Sequence, residues 1–390
     1  MHKNVWILTL AQMFMMSMNS LHVLVGGLVG DRIASSEKLA TLPVASIMVG
    51  TAMATIPVTM LMKKIGRKKT FLIVSGYSIL VSLFAAYAIA IESFYLFVFC
   101  AFLMGVSNAS MMQFRFASME SVKSSLIPKA ASVVLIGGIV AAFIGPEVAV
   151  FGKDIFDSEF TGSYVLLAGL FAVGFVILTF YQNTTIKESI IDSPQRSFGE
   201  IAKQPVFWTA LLAAAVGYAV MSFIMTATPV SMHVMDGHSL SDTKWVIQTH
   251  IVAMFLPSIF TGELMKRFGI HRVMIMGLVA YIFCIVIAFS GHLVYNYWIS
   301  LILLGVGWNF LFLAGTVLLP QAYTASERFK VQAINEFIVF GTQAIVALSA
   351  GWVVFALGWE NLLLLTLPII AIQFVMIWIW RKSNAKLNAN

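Results

Sequence analysis

The sequence predicts an all-α membrane protein of twelve transmembrane helices arranged in two pseudo-symmetric six-helix bundles. Three observations lead to this prediction: the composition, the number of long apolar segments and an internal repeat. Of the 390 residues, 60% are hydrophobic and only 11% are charged, with a mean hydropathy of +0.92. A soluble protein of this composition would expose too much apolar surface to water, so we expect the chain to lie in a lipid bilayer.

The apolar segments are each long enough to cross about 30 Å of hydrocarbon at about 1.5 Å of helix rise per residue. The one long connection, TIKESIIDSPQRSFGEIAKQP, is polar and contains proline. We therefore expect an N-terminal bundle at 1–184, a cytoplasmic linker at 185–205 and a C-terminal bundle at 206–390. The twelve segments are 5–29, 41–62, 70–91, 94–118, 129–151, 162–183, 206–233, 243–265, 273–291, 295–319, 331–355 and 361–380.

Lysine and arginine residues lie mainly on one predicted side of the membrane. If both termini are cytoplasmic, the inside loops and termini carry 19 of these residues and the outside loops carry 4. Basic residues mark cytoplasmic loops, so this asymmetry predicts cytoplasmic termini. The net charge of +7 therefore reflects membrane topology and not nucleic-acid binding. We expect a multi-pass monomer in the inner membrane of a bacterium.

The chain also contains an internal repeat. The segment LMKKIGRKK at 61–69 returns as LMKRFGIHR at 264–272, and LMGV at 103–106 returns as LLGV at 303–306. Two related halves of about 200 residues are typical of secondary transporters. The chain shows no nucleophile–base pair, HExxH motif or phosphate-binding loop, so we do not expect an enzyme, and we expect no cofactor.

The first copy of this repeat, TMLMKKIGRKK at 59–69, resembles the loop motif G-x-L-x-D-R-x-G-R-[RK] of the major facilitator superfamily. It keeps four motif residues, Leu61, Gly66, Arg67 and Lys68. Lys63 replaces the aspartate, and the second copy keeps Gly269 but has Lys266 for the acid. The resemblance implies the major facilitator fold and secondary active transport by alternating access. The missing acid implies a different cytoplasmic latch.

Two short motifs place soft metal ligands four residues apart on one helix face. MSFIM contains Met221 and Met225 in the seventh segment, and HIVAM contains His250 and Met254 in the eighth. They resemble the MxxxM and HxxxM pair of CcoA-like (calamitin) bacterial copper importers, a group within the superfamily. Counted along the helices, Met221 is level with Met254, and Met225 with His250. Thioether and imidazole ligands suit copper, which would be the transported substrate.

The repeat extends this hypothesis to the first helix and to an outer loop. An offset of 203 residues maps Met221 onto Met18 and Met225 onto His22. In the implied fold, helices one and seven face each other, so these two residues are predicted on the opposing wall. The loop SMHVMDGH is a candidate periplasmic capture point with four potential ligands, Met232, His233, Met235 and His238.

Two charged residues lie near the inner ends of predicted helices. Arg115 and Glu336 either extend to the interface or form a cytoplasmic gate pair, and Glu336 is a candidate proton-coupling site.

Other interpretations remain open. Methionine also fills irregular space between membrane helices, so a single MxxxM motif also fits packing. The protein would then transport an organic solute such as riboflavin or a drug. Its cavity would use polar and aromatic side chains, namely Asn108, Tyr218, Trp308, Asn309 and Phe312. A third interpretation is a sensor that binds copper without transporting it.

Overall fold

The structure is a computed structural model that describes residues 2–35, 39, 42–183 and 196–387, and this part of the chain is helical and contains no strand. Sixteen α-helices occur in these ranges. They are α1 Lys3–Met15, α2 Ser17–Ile33, α3 Leu42–Ile65, α4 Arg67–Ala90, α5 Phe94–Met112, α6 Phe114–Met119, α7 Ile127–Phe151, α8 Thr161–Thr179, α9 Phe198–Ala202, α10 Pro205–Pro229, α11 Leu240–Phe255, α12 Ser258–Phe268, α13 Ile270–Phe289, α14 Val294–Leu318, α15 Arg328–Leu357 and α16 Trp359–Leu387.

Within the described residues, ten helical segments are long and apolar enough to span a membrane. The pair α11 and α12 makes an eleventh if it is one span with a bend of 42°. The first predicted span, 5–29, is not among these segments, because it is divided between α1 and α2, which have 13 and 17 residues. The division lies at Met16, beside the hydroxyl of Ser17, which donates to the carbonyl of Met13 at 2.9 Å. Serine bonded back to its own helix often bends the helix.

The chain forms two compact units. Apart from the undescribed residues, the first comprises Met1–Lys187 and Gln332–Gly341, and the second comprises Glu188–Val331 and Thr342–Asn390. Within α15, Gln332–Gly341 belongs to the first unit and the residues on either side belong to the second, whereas the sequence led us to expect one bundle at 206–390. The predicted linker lies outside the described residues from 185 to 195. Its described end includes α9, which Ser197 and Glu200 begin with reciprocal capping hydrogen bonds.

The two copies of the repeated loop have the same backbone conformation. Gly66 ends α3 and precedes α4 with φ of 84°, and Gly269 separates α12 from α13 with φ of 87°. Residues other than glycine rarely adopt a positive φ, so both loops depend on glycine to reverse the chain between two helices. The sequence repeat is thus also a structural repeat.

Candidate functional site

A break between α11 and α12 is the main irregularity among the helices of the second unit. Pro257 has no N–H group and removes one hydrogen bond of the helix ladder, so the helix interrupts at Leu256 and Pro257. Asn309 of α14 bridges the break. Its Nδ2 donates to the carbonyl of Met254 at 2.7 Å and to the hydroxyl of Ser258 at 2.7 Å.

The other side of the same amide is also occupied, because the hydroxyl of Thr261 donates to Oδ1 of Asn309 at 2.8 Å. The predicted cavity residue Asn309 is therefore fully buried and bonded within the protein. It positions the broken helix and does not leave a polar group free for a solute in this conformation. Irregular backbone at membrane depth requires such partners inside the protein.

Next to the break lies an aromatic cluster, defined as Tyr218, Phe255, Trp308 and Phe312. The ring of Trp308 stacks on Phe312 with centroids 4.9 Å apart and an interplanar angle of 19°. Tyr218 meets both rings edge-on, at 5.3 and 5.1 Å, and Phe255 meets Trp308 at 5.6 Å. Three members were predicted cavity residues. Phe255 was missed, although its place directly before Leu-Pro marks the end of α11.

All four rings are buried in this conformation. The indole Nε1 of Trp308 is also buried, and it has no hydrogen-bond partner among the described residues. A buried donor without an acceptor is costly, by roughly 1–3 kcal/mol, and such groups often mark sites where a ligand supplies the missing partner. The cluster thus combines flat apolar faces with one unused N–H group.

His250 has one bonded and one unbonded ring nitrogen. Its Nδ1 lies 2.7 Å from the carbonyl oxygen of Leu301, which can only accept, so Nδ1 carries the proton and Nε2 is an acceptor. Nε2 is buried and has no partner among the described residues. Gly305 allows this approach of α11 to α14, since a Cβ there would lie 2.7 Å from the carbonyl oxygen of His250.

The other predicted copper ligands of the second unit are methionines. Met221 and Met254 are buried, and Met225 is half-buried. In the described part of the chain, no group of three or more His, Cys, Asp or Glu side chains is arranged to hold a metal ion. The assignment of Met221, Met225, His250 and Met254 to copper stays a prediction.

The predicted opposing pair lies in the first unit, where both residues are buried. Nδ1 of His22 lies 2.7 Å from the hydroxyl of Tyr164, and Nε2 lies 3.1 Å from the carbonyl oxygen of Pro43. Both ring nitrogens are therefore bonded to protein groups, which argues against His22 as a copper ligand in this conformation. Met18 is fully buried, and its role as a ligand stays a prediction.

Asn108, another predicted cavity residue, belongs to a polar chain in the first unit. It accepts from Asn19 at 3.0 Å and donates to the hydroxyl of Thr51 at 3.1 Å. Asn19 and Asn108 are only half-buried, so this chain retains some access to solvent or solute.

Of the four potential ligands in the predicted capture loop, one is buried and three are accessible. Met232 is fully buried, while His233 and Met235 are exposed and His238 is half-buried. Nδ1 of His233 donates to the carbonyl of His238 at 2.7 Å, and Nε2 of His238 donates to the carbonyl of His292 at 2.6 Å. Each histidine thus uses one nitrogen to hold the loop, and a capture role stays a prediction.

Beside this loop lies an ionic link that was not predicted from the sequence. His292, between α13 and α14, contacts Asp236 at 3.0 Å through Nδ1 and Glu360 at 2.8 Å through Nε2. Partial burial lowers the pKa of His292, but the hydrogen bonds and charges of the two carboxylates outweigh it, so the pKa is raised. Tyr297 also donates to Asp236 at 2.6 Å.

In the first unit, Arg67 of the repeated loop binds Glu120 with two hydrogen bonds of 2.8 and 2.6 Å. Arg67 also donates to Gln113 at 3.2 Å and to Gln332 at 2.9 Å, all within the first unit. The carboxylate beside this loop therefore comes from Glu120, which follows α6, and not from position 63. The next residue, Lys68, donates its backbone N–H to Asn183 at 2.9 Å.

The two charged residues predicted as a gate are in contact. Nη2 of Arg115 donates to Oε1 of Glu336 at 2.6 Å, and the side chains are 3% and 0% exposed. Asn335 donates to the same oxygen at 2.8 Å. Because both side chains are almost completely buried, neither Arg115 nor Glu336 extends to the aqueous interface in this conformation. A gating or coupling role stays a prediction.

Comparison with known proteins gives a consistent result over the whole chain. The sequence model of the Major Facilitator Superfamily matches residues 5–243 and 232–390. The riboflavin transporter RfnT of Brucella anthropi is 35% identical over 376 residues, which cover 96% of this chain and 94% of RfnT. The uncharacterized MFS-type transporter YddS of Bacillus subtilis is 28% identical over an alignment that covers 93% of this chain and 88% of YddS.

Two solved structures share the fold. The transporter FucP in the outward conformation superposes with a TM-score of 0.74 at 15% identity, covering 96% of this chain and 97% of FucP. A bacterial homologue of the iron transporter ferroportin, in an outward-facing state, gives a TM-score of 0.73 at 13% identity, covering 97% and 99%. At these identities the likeness concerns the fold alone.

Proposed function

Because the chain belongs to the major facilitator superfamily, and is thus a membrane transporter and not an enzyme, we propose that it moves a flat heteroaromatic solute of the riboflavin class. The aromatic cluster and the N–H of Trp308 would bind this solute in the second unit. Transport would be secondary active and proceed by alternating access, the general mode of this superfamily. Copper import, implied by the two methionine motifs, becomes the second candidate.

The observation that carries the proposal is the buried N–H of Trp308, which has no partner in the described part of the chain and lies within a cluster of four rings. Aromatic faces stack on a planar ring system, each such pair contributing about 0.5–1.5 kcal/mol beyond the burial of area. A flavin ring also carries carbonyl oxygens, one of which would accept from Nε1 of Trp308. The relative RfnT, named as a riboflavin transporter, supports the same chemical class.

Solute binding requires a change of conformation, because the four rings are buried and pack against one another. The broken helix provides the place for this change. Phe255 is the last residue of α11, immediately before the interruption, and it contacts Trp308 directly. A movement at the break would separate Phe255 from Trp308 and open the indole face to solute.

Copper import has one specific observation in its favour. Nε2 of His250 is a buried acceptor without a described partner, as a neutral copper ligand would be in the absence of the ion. Met221, Met225 and Met254 belong to the same unit and supply the soft ligands that copper prefers.

The deciding experiment is uptake by sealed vesicles that contain the purified protein. Riboflavin and copper are offered separately, with and without a pH gradient. Accumulation of riboflavin, and not of copper, supports the proposal. Accumulation of copper alone overturns it in favour of the metal, with loss of uptake expected in Met221→Leu and Met254→Leu. Copper binding without uptake of either compound would identify a sensor.

A variant of Trp308 tests the site itself. Trp308→Phe keeps an aromatic ring but removes the N–H, so we expect KM for riboflavin to rise roughly 2- to 10-fold, the value of one lost hydrogen bond, at unchanged maximal rate. Trp352→Phe is the matched control, since Trp352 is 69% exposed on the surface of α15. Equal KM values for both variants and the wild type would remove Trp308 from the site.

A further inference from the structure

A cleft opens between one end of α13 and one end of α16, in the second unit. Its volume is about 430 Å³, and six residues line it: Ile275, Phe374, Ile377, Trp378, Arg381 and Lys382. Volumes of this size are typical of small-molecule sites. The first four residues are apolar and the last two are basic, so the cleft has an apolar part and a positively charged mouth.

The apolar part of the cleft lies on α13 and α16, which are both long and apolar enough to span a membrane. Trp378 is 62% exposed on the surface of α16, one of the helices that can span the membrane. From Phe374 to Arg381 the helix rises about 10 Å at about 1.5 Å per residue, the length of a short stretch of acyl chain. The apolar lining thus runs from within the membrane to the basic residues at the helix end.

The mouth of the cleft has positive charge without compensating acid. Arg381 and Lys382 are exposed, and neither forms an ion pair with any residue that the structure describes. Nζ of Lys382 lies 5.1 Å from the centroid of the Trp378 ring, so the charge is held over the cleft. Arg272, at the start of α13, adds a further positive charge near Arg381, since both guanidinium groups interact electrostatically with His271.

We propose that this cleft binds an anionic phospholipid, with the phosphate against Arg381 and Lys382 and one acyl chain along Phe374 and Trp378. The basic residues lie on the side that the charge asymmetry assigns to the cytoplasm, so the lipid belongs to the inner leaflet. Basic pockets between transmembrane helices on this side suit acidic headgroups, and each cation near the surface adds to the attraction. The site is independent of the solute carried.

The test uses the full-length protein in phosphatidylcholine vesicles that contain a small fraction of lipid brominated on its acyl chains. Bromine quenches nearby tryptophan fluorescence, and the difference between wild type and Trp378→Phe isolates Trp378. We expect brominated phosphatidylglycerol to quench Trp378 more strongly than the same fraction of brominated phosphatidylcholine. Equal quenching by the two lipids would overturn the proposal.

Charge variants show whether the headgroup is recognised. Arg381→Gln/Lys382→Gln removes two cations and is expected to lower the apparent affinity for phosphatidylglycerol about 30-fold. Lys123→Gln/Lys129→Gln removes two exposed lysines predicted on the same side and should leave it unchanged. Excess quenching that persists in the first variant contradicts the proposal.

Two further measurements use the wild type alone. The excess quenching by phosphatidylglycerol should fall as sodium chloride is raised, because salt screens exposed charges, and an excess that does not respond to salt would overturn the headgroup contact. Inorganic phosphate at millimolar concentration should not displace the lipid, since it lacks the acyl chain. Displacement would show a phosphate site in place of a lipid site.

Discussion

At the scale of single residues, the ion pair of Arg115 and Glu336 has the most consequence for stability. Both side chains are buried, and Oε2 of Glu336 has no partner among the described residues. Two charges removed from water are tolerated only as a pair, because each alone would carry a large desolvation cost. The pair is therefore a place where the loss of one charge destabilises the protein more than the loss of both.

We predict that Glu336→Gln lowers the stability of the first unit by about 3–5 kcal/mol, since it removes the carboxylate that pairs with the buried charge of Arg115. The double variant Arg115→Gln/Glu336→Gln should recover part of this loss. Thermal unfolding of the purified protein in detergent measures both. The control is Glu159→Gln, whose partner Lys153 lies 3.2 Å away on the surface, and a change within about 1 kcal/mol is expected there.

A result in which the double variant is no more stable than Glu336→Gln would show that charge pairing is not what holds these residues.

The same variants address the coupling hypothesis. If Glu336 carries the coupling proton, uptake by vesicles with Glu336→Gln will no longer respond to a pH gradient, although residual downhill uptake persists.

At the scale of elements, the break between α11 and α12 depends on a neighbouring helix. Asn309 of α14 makes three hydrogen bonds across it, to Met254, Ser258 and Thr261. The sequence of α11 predicts one continuous span, and Pro257 alone predicts only a kink. What stabilises the separated ends is a side chain about 50 residues away, so the break is a property of the packed helix pair.

We predict that Asn309→Ala destabilises the second unit by about 2–4 kcal/mol, because three hydrogen bonds are lost and buried groups are left unpaired. Asn361→Ala is the matched control, since its amide also donates to a helix carbonyl, that of Leu357 at 2.7 Å, but at an exposed position. Differential scanning fluorimetry of both variants measures the difference. Equal melting temperatures for the two would contradict the assigned role of Asn309.

The link that His292 forms with Asp236 and Glu360 predicts that the stability of the second unit depends on pH. The pKa of His292 is raised in the folded protein by Asp236 and Glu360, despite partial burial, so the protonated form is the stabilising one. This contribution is fully present below the usual histidine value of about 6.5 and is lost as the pH rises through the raised folded value. The other groups at this link are His238, through the carbonyl of His292, and Tyr297.

We therefore expect the melting temperature of wild type to exceed that of His292→Gln most at about pH 5 to 6.5, with the gap narrowing toward alkaline pH. His271→Gln, which changes a histidine outside this link, serves as the control. The prediction fails if the gap is constant over this range or widens as the pH increases.

At the scale of the whole molecule, the distribution of charge sets the orientation in the membrane. The loops carrying most lysines and arginines include both copies of the repeat and both termini. Because moving basic loops across a bilayer is unfavourable during insertion, this asymmetry predicts that they lie in the cytoplasm.

We predict opposite labelling of two introduced cysteines by a membrane-impermeant maleimide. In right-side-out vesicles, Lys153→Cys should react and Lys129→Cys should not, and the order should reverse in inverted vesicles. Lys129 is exposed and the side chain of Lys153 is 40% exposed, while the native Cys100 and Cys284 are buried, so background labelling is low. Labelling of Lys129→Cys in right-side-out vesicles would reverse the assigned topology.

The sequence by itself determined that the protein is helical, spans the membrane many times and repeats its architecture, since these properties follow from local hydropathy, glycine conformation and loop charge. It also selected three of the four rings of the aromatic cluster and both members of the buried ion pair. Only the tertiary structure decided the bonding of these residues. His22 meets Tyr164 at a separation of 142 residues, and Arg67 meets Glu120 at 53. A side chain's type indicates what it can bind, but packing over such separations fixes which partner it has, and hence whether a histidine is free or already bonded.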